Sequence, residues 1–159
     1  PKSVTSIGSY AFKNCKALEN IDLPEELTEI KQAAFVHSGL TGVTIPKSVT
    51  KIGDNAFSYC EQLGSVIMER ETPCDVGANI FGYKISESLD NSSKFVKENT
   101  KGITVPYGSL NAYQTKEYWD TYKNYMKEAP APVSPAPSTD PVTVQKPTII
   151  DENGNSLTG

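Results

Sequence analysis

The sequence predicts an α+β solenoid, in which short coils stack on one another and each coil contributes brief parallel strands and a helical corner. Two recurring patterns support this fold class. The stretch PKSVTSIG at residue 1 returns as PEELTEIK at residue 24 and as PKSVTKIG at residue 46, and an Ala-Phe pair follows each copy at 11–12, 34–35 and 56–57. A unit of 22 to 23 residues cannot bury its apolar side alone, so it depends on neighbouring copies stacked against it.

Each coil is expected to contain two short strands and one helical corner. Leu18, Ile21 and Leu23 are the apolar positions of a segment that stops at a proline, as in a half-buried strand. The segment 49–53 predicts a second extended stretch that turns at glycine, and the segment 54–60 predicts one turn of helix.

The core is expected to consist of columns of equivalent apolar side chains, one from each coil. One column is aromatic and the others are aliphatic or contain methionine. The columns are Val4/Leu27/Val49, Ile7/Ile30/Ile52, Phe12/Phe35/Phe57, Leu18/Leu40/Leu63, Ile21/Val43/Val66 and Leu23/Ile45/Met68. If these side chains fill the interior, any binding function belongs on the outside of the stack.

A fourth coil is interrupted by an insertion. Residues 76–81 match 7–12 and residues 103–106 match 21–24, but 21 residues separate Phe81 from Ile103 where the repeat supplies eight. The excess defines an insertion at 82–102. Its polar side chains predict an exposed loop, with Phe95 and Val96 holding one end to the core; they are Ser86, Glu87, Ser88, Asp90, Asn91, Ser92 and Ser93.

The segment 106–128 is expected to close the last coil as a C-terminal helical cap, which completes a solenoid over 1–128. Ser109 is a candidate N-cap, and Trp119, Tyr122 and Met126 follow at helical spacing. Terminal repeats need one apolar face, and here it would comprise Leu110, Tyr113, Trp119 and Tyr122. The alternative is an aromatic platform that stacks on sugars, with Tyr118 and Tyr125 exposed.

Proline recurs from residue 129 to 147, with six prolines in that stretch, which predicts an extended linker. The segment 148–159 has a strand-like start, so it is interpreted as the beginning of a following β module or as a tail docked on the solenoid. Because the chain begins inside a repeat, it is also interpreted as part of a longer protein.

Composition and charge argue against several classes of function. The net charge is −4 and no basic stripe is present, so nucleic acid is not an expected partner. No apolar run reaches the length of about 18 residues that a membrane span requires. Nothing in the sequence implies a cofactor.

The few residues suited to catalysis or metal binding are not clustered. Cys15 and Cys60 occupy the same position two coils apart, which separates their Cα atoms by roughly 10 Å and excludes a disulfide, so both are expected to be free thiols that fill the core. The redox state of Cys74 stays open. His37 is the only histidine and is interpreted as a solvated corner residue, so no catalytic residues, no metal site and no enzyme activity are expected.

The exposed side of the main strand is the candidate ligand-binding face. Side chains at 19, 20 and 22 and their equivalents in later coils point away from the core, and Ile67 is an apolar residue among them. The face comprises Glu19, Asn20, Asp22, Thr41, Thr44, Ser65, Ile67 and Thr104. The insertion is expected to add to the contact area, and the alternative is that these are outward positions without a ligand.

The pattern LxxIxLPxxVTxIGxxAFxxC, which residues 1–68 follow closely, resembles the BspA-like leucine-rich repeat of bacterial cell-surface and secreted proteins. The resemblance implies a right-handed leucine-rich-repeat-type stack, here of about four coils. It also implies an extracellular or cell-surface location in a bacterium and non-catalytic adhesion or protein binding, with a protein or a host or bacterial surface component as partner. Glycan or mucin binding through Tyr10, Tyr59, Tyr118 or Tyr125, and a spacer that presents a downstream domain, remain open as alternatives.

Overall fold

A computed structural model describes residues 3–82, 84–86, 89–90 and 92–134, without the side chains of 84–86 and 89–90. The predicted linker beyond residue 134 and the tail at 148–159 lie outside this part of the chain. The strands are β1 (Ser6–Ile7), β2 (Glu29–Ile30), β3 (Gly42–Ile45), β4 (Lys51–Ile52), β5 (Ser65–Met68), β6 (Asp75–Val76), β7 (Lys84–Ser86), β8 (Leu89–Asp90), β9 (Ile103–Val105) and β10 (Met126–Glu128). The helices are α1 (Lys94–Lys97), α2 (Leu110–Thr115) and a 3₁₀ helix at Asp120–Tyr125.

Two parallel sheets run along the stack, as the repeat predicts. The first sheet has the order β1-β2-β4-β6, and the second sheet has the order β3-β5-β9-β10. Equivalent residues of successive coils are paired, such as Ile30 with Ile52 in the first sheet and Val43 with Val66 in the second. The fourth coil follows the predicted alignment, because Val76 pairs with Ile52 and Ile103 pairs with Val66.

The first predicted strand, at 18–23, is not a strand in the structure. This segment lies at the outer edge of the second sheet, where Thr41 donates its N–H to the Glu19 carbonyl at 3.0 Å and the regular ladder begins only with β3. Its apolar side chains are half-buried, whereas their equivalents in the second and third coils are buried. A coil with a neighbour on only one side buries less of its apolar surface.

The corners are successive turns and not the predicted turn of helix. Left-handed backbone recurs every four residues, at Asn55 and Tyr59 in the third coil for example, and this conformation interrupts α-helical bonding. The freed amides donate along the stack instead: Phe35 N–H reaches the Ala56 carbonyl at 2.8 Å, and Phe57 N–H reaches the Ile80 carbonyl at 2.7 Å. The corner is therefore a third hydrogen-bonded column, beside the two sheets.

The phenylalanine column forms a continuous stack through the core, which confirms the central prediction. Phe35 lies 5.1 Å from both Phe12 and Phe57 between ring centroids, with the planes within 3° of parallel. Phe57 continues to Phe81 at 5.8 Å. These side chains are buried from the second coil onward, while Phe12 and Cys15 of the first coil are only half-buried.

The described part of the insertion contains regular secondary structure, and its end at 92–95 is more buried than predicted, whereas Glu87, Ser88 and Asn91 lie outside the described residues. Strands β7 and β8 pair antiparallel, and α1 follows. Ser92 and Ser93, predicted to lie in an exposed loop, are buried, and the Ser93 hydroxyl donates to the Phe81 carbonyl at 2.9 Å. Phe95 is buried as predicted, and its N–H donates to the Leu63 carbonyl at 3.2 Å. The end of the insertion thus continues the stack next to the third coil.

The C-terminal segment covers the end of the aromatic column. Tyr113, Trp119 and Tyr122 are buried, and Leu110 is half-buried. The predicted helical spacing does not extend to Met126, because β10 begins there and pairs with β9.

Two details of this segment differ from the prediction. Ser109 occupies the N-cap position of α2 without a side-chain capping bond, and the Leu110 N–H donates instead to Glu128 Oε1 at 3.1 Å. Tyr125 is half-buried, with its ring 6.1 Å from that of Phe95, whereas Tyr118 is exposed as expected.

Gly39 lies in a shortened turn that leaves no room for a side chain. One residue separates Ser38 from Leu40, where two residues separate Cys15 from Leu18, and a Cβ at Gly39 would overlap the Lys16 carbonyl oxygen.

We expect Gly39→Ala to lower the free energy of unfolding by about 1–3 kcal/mol, because the backbone of two coils must separate. Gly8→Ala is the matched control, since no atom lies within 4 Å of the Cβ position at Gly8. Urea denaturation measures both variants, and equal midpoints for the two would contradict the close contact.

Candidate binding surface

The outer face of the second sheet presents short side chains in a regular row. Burial alternates along β3 and β5, so that Val43 and Val66 point inward while Thr44 and Ile67 point outward. Thr44 pairs with Ile67, Ile67 pairs with Thr104, and Thr104 pairs with Lys127 on β10. We refer to the outward residues of these strands and of segment 19–22 as the sheet face.

The structure brings together most of the predicted binding residues on the sheet face. Thr44, Ile67 and Thr104 are adjacent in one row, with Ile67 43% exposed and Thr104 half-buried. Asp22 shares a groove of about 240 Å³ with Thr44. The remaining residues predicted for this face are also exposed: Glu19, Asn20, Thr41 and Ser65.

An acidic groove borders the sheet face where the strands end. Prolines at 24, 46 and 106 follow the equivalent segments of three coils, but Glu69 takes that position in the third coil, where its N–H donates to the Ile45 carbonyl at 3.1 Å. A groove of about 500 Å³ is lined there by Glu25, Pro46, Lys47, Glu69 and Pro106. Glu69 was not among the predicted residues, although its departure from the proline pattern is a signal visible in the sequence.

The first sheet carries a second exposed row that was not predicted. Ser6, Glu29, Lys51 and Asp75 are in register, one from each coil. Lys51 Nζ lies 3.5 Å from Glu29 Oε1, and Lys116 Nζ from α2's C-terminal flank lies 2.8 Å from Asp75 Oδ1. Opposite charges therefore alternate along the row and satisfy one another, which indicates a solvated face more than a ligand site.

The ion pair at the end of this row changes the acidity of Asp75. The hydrogen bond from Lys116, and then its positive charge, holds the pKa of the Asp75 carboxyl below its ordinary value. We expect Lys116→Met to raise the pKa of Asp75, since the partner that favours the carboxylate is removed. A carbon-detected NMR titration of the carboxyl groups measures the change.

The sign of this effect also sets a pH dependence. The contribution of the pair to stability is complete above the ordinary pKa of an aspartate and is lost as the pH falls through the lowered pKa of Asp75. Lys127→Met is the control, because Lys127 lies on the second sheet. An unchanged titration of Asp75 in Lys116→Met would show that the contact does not persist in solution.

Two of the three thiols are buried structural groups. Burial raises the pKa of Cys60, and that of Cys74 to about 12, so both are protonated at neutral pH. Cys60 donates to the Phe35 carbonyl at 3.1 Å, and the Cys74 carbonyl accepts the Trp119 Nε1–H at 2.9 Å. All three cysteines are free, as predicted for Cys15 and Cys60. A protonated buried thiol is a poor nucleophile.

His37 lies at a corner, as predicted, and its ring is packed on a neighbour as well as partly exposed. Its ring is half-buried and lies 4.3 Å from that of Tyr59, with the planes 17° apart. A groove of about 240 Å³ adjoins the pair and is lined also by Lys16, Glu61 and Gln62.

Metal-binding clusters and membrane-spanning helices are both absent from the described part of the chain. Among these residues, no group of three or more His, Cys, Asp or Glu side chains could hold a metal ion. No helix within the same residues is long and apolar enough to cross a membrane. The Asp54 carboxylate accepts the Ala78 N–H at 2.8 Å.

Comparison with known proteins identifies the repeat. No curated protein and no solved structure matches the chain. A family model described as a BspA type leucine rich repeat region, with six copies, matches residues 1–104, a range that contains strands β1 to β6. The chain therefore belongs to the BspA-type leucine-rich repeat family.

Proposed function

We propose that the chain is a non-catalytic binding protein of the bacterial surface or exterior and that it contacts a protein partner through the sheet face. The observation that carries this proposal is the exposure of Ile67 at the centre of a row of small polar residues. Short side chains allow a partner to approach the sheet closely, and an apolar centre with a polar rim is typical of protein interfaces.

The family supports the same class of function. Leucine-rich repeats of this type are consistent with a role in protein binding at a surface. The buried thiols of Cys60 and Cys74 also support a role without catalysis, because burial raises the pKa of both and a protonated thiol is a poor nucleophile. Adhesion or protein binding therefore explains the repeated coils and the open face better than catalysis does.

The architecture proposed with this function is a right-handed stack of about four coils closed by the segment 106–128. Support comes from the burial of Tyr113, Trp119 and Tyr122 and from the pairing of β10 with β9 at the end of the second sheet. A stack covered at this end directs binding to its flanks.

The test is a binding assay with the chain immobilised against a panel of extracellular-matrix proteins and mucins. For a captured ligand, we expect Ile67→Glu to weaken binding at least about tenfold, because a charge at the centre of an interface is not easily solvated. Val133→Glu is the matched control, since Val133 is a fully exposed valine outside the sheet face. Equal affinity of the two variants would contradict the proposed face.

A second candidate function, glycan binding, rests on the stacked His37 and Tyr59 rings beside the corner groove. Tyr59 is 39% exposed, so part of its ring is accessible to a sugar. A glycan array with the unmodified chain and with Tyr59→Ala separates this function from the first. Glycan binding that Tyr59→Ala abolishes and Ile67→Glu leaves intact would favour the groove over the sheet face.

A further inference from the structure

The sheet face has opposite charges at its two ends and uncharged side chains between them. Asp22 is exposed on the first coil, and Lys127 is exposed on β10 at the far end. Thr44, Ile67 and Thr104 lie between them in register. The row therefore reads Asp, Thr, Ile, Thr, Lys across five neighbouring segments.

The alignment of Asp22 with this row follows from the backbone. Thr41 donates to the Glu19 carbonyl at 3.0 Å through its N–H and at 3.3 Å through its hydroxyl, which fixes an offset of 22 residues between the first two coils. The same offset places Asp22 beside Thr44, and both line one groove.

This row is complementary to the same row of a second copy that runs in the opposite direction. Under a two-fold axis along the strands and through Ile67, Asp22 of one copy would face Lys127 of the other, and Thr44 would face Thr104. The Ile67 side chains of the two copies would then meet at the axis. A surface that contacts itself in this way is the kind that forms a symmetric dimer.

We propose that the sheet face binds a second copy of this chain, with the two stacks antiparallel. This proposal rests on the sheet face as the binding surface and names its partner. Each dimer would contain two Asp22–Lys127 pairs and one apolar contact at Ile67. The neighbouring positions Gly42 and Ser65 are small, so the two sheets can approach to about the 10 Å of packed sheets.

The size of the face predicts a weak dimer. Five segments about 4.8 Å apart, each at most four residues long, give a flat area of a few hundred Å². Stable interfaces bury about 800 Å² on each partner. The chain is therefore expected to dimerise only at high micromolar protein concentrations and above.

The experiment is sedimentation equilibrium of the full chain from about 10 μM to about 1 mM, the range in which weak dimers form. The wild type is expected to dimerise. Asp22→Lys and Lys127→Glu should each raise the dissociation constant at least about tenfold, because each places like charges opposite one another twice in the dimer. Circular dichroism confirms that each variant is folded.

The decisive measurement mixes the two single variants. Asp22→Lys in one copy and Lys127→Glu in the other make both contacts attractive, so the mixture should form a heterodimer, and the double variant should recover dimerisation. Glu117→Lys is the control, since Glu117 is exposed and is not on the sheet face; it should dimerise like the wild type.

The proposal would be overturned by a wild type that stays monomeric at about 1 mM, or by single variants that fail to associate when mixed. A monomeric wild type that still binds another protein through Ile67 would reject self-association and leave the proposed function intact. Dimerisation that Ile67→Glu does not weaken would contradict the sheet face itself.

Discussion

Replacing Phe57 by alanine is expected to lower the free energy of unfolding by about 3–5 kcal/mol. The side chain is fully buried, and its ring lies between those of Phe35, at 5.1 Å, and Phe81, at 5.8 Å. The backbone on either side cannot close the resulting cavity, because Phe57 N–H is bonded to the Ile80 carbonyl and Phe35 N–H to the Ala56 carbonyl. Urea denaturation followed by circular dichroism measures the loss.

Phe12→Ala is the matched control for this prediction. Phe12 belongs to the same column, but it is half-buried, and Phe35 is its only neighbour in the column among the described residues. Its replacement should cost less than half as much, since solvent already reaches part of the side chain and can fill the space. Similar losses for both variants would mean that the column does not stabilise the stack through its interior.

Much of the fold is predictable from the sequence because the stack repeats its contacts. A side chain at a fixed position in each coil meets its own equivalent, so the period alone predicts that Phe12, Phe35 and Phe57 are neighbours. The structure confirms this column and the pairing of β4 with β6 in the eroded fourth coil.

The corners were not predictable in the same way. Left-handed backbone is common for asparagine, so Asn14, Asn55 and Asn79 were a signal for turns. Tyr59 and Ala33 adopt the same conformation without any such preference; they do so because the amides of the coil bond to the next coil. That cause is tertiary and cannot be seen in one repeat.

The candidate binding surface was likewise predictable only in part. Alternation along a strand predicts which side chains face outward, and it placed Thr44 and Ile67 correctly. The charge order along the stack, from Asp22 to Lys127, depends on β10 joining the second sheet, and the prediction of a helix at Met126 concealed it. The burial of Ser93 was also missed, because a run of polar residues predicts a loop and the hydroxyl's bond to Phe81 is formed across the insertion.

Trp119→Ala is expected to have an effect as large as that of Phe57→Ala, because Trp119 closes the end of the aromatic column. It is fully buried, with its ring 6.2 Å from Phe81 and 5.1 Å from Tyr113. Loss of the side chain leaves a cavity that costs about 3–5 kcal/mol, and it also removes the donor to the buried Cys74 carbonyl. Because Trp119 is the only tryptophan, circular dichroism must replace fluorescence as the measurement.

Two further variants separate packing from hydrogen bonding at this position. Trp119→Phe keeps an aromatic ring and removes the N–H. The variant should therefore lose about 1–3 kcal/mol of unfolding free energy, which is near the cost of one unpaired carbonyl. Tyr118→Ala, at an adjacent residue that is 46% exposed, should change stability by no more than about 0.5 kcal/mol. If the buried ring of Trp119 holds segment 106–128, the loss in free energy of unfolding must be largest for Trp119→Ala, smaller for Trp119→Phe and smallest for Tyr118→Ala. A Trp119→Ala variant as stable as Tyr118→Ala would show that the Trp119 ring does not hold this segment to the core, where Tyr122 also lies 5.2 Å from Phe81 between ring centroids.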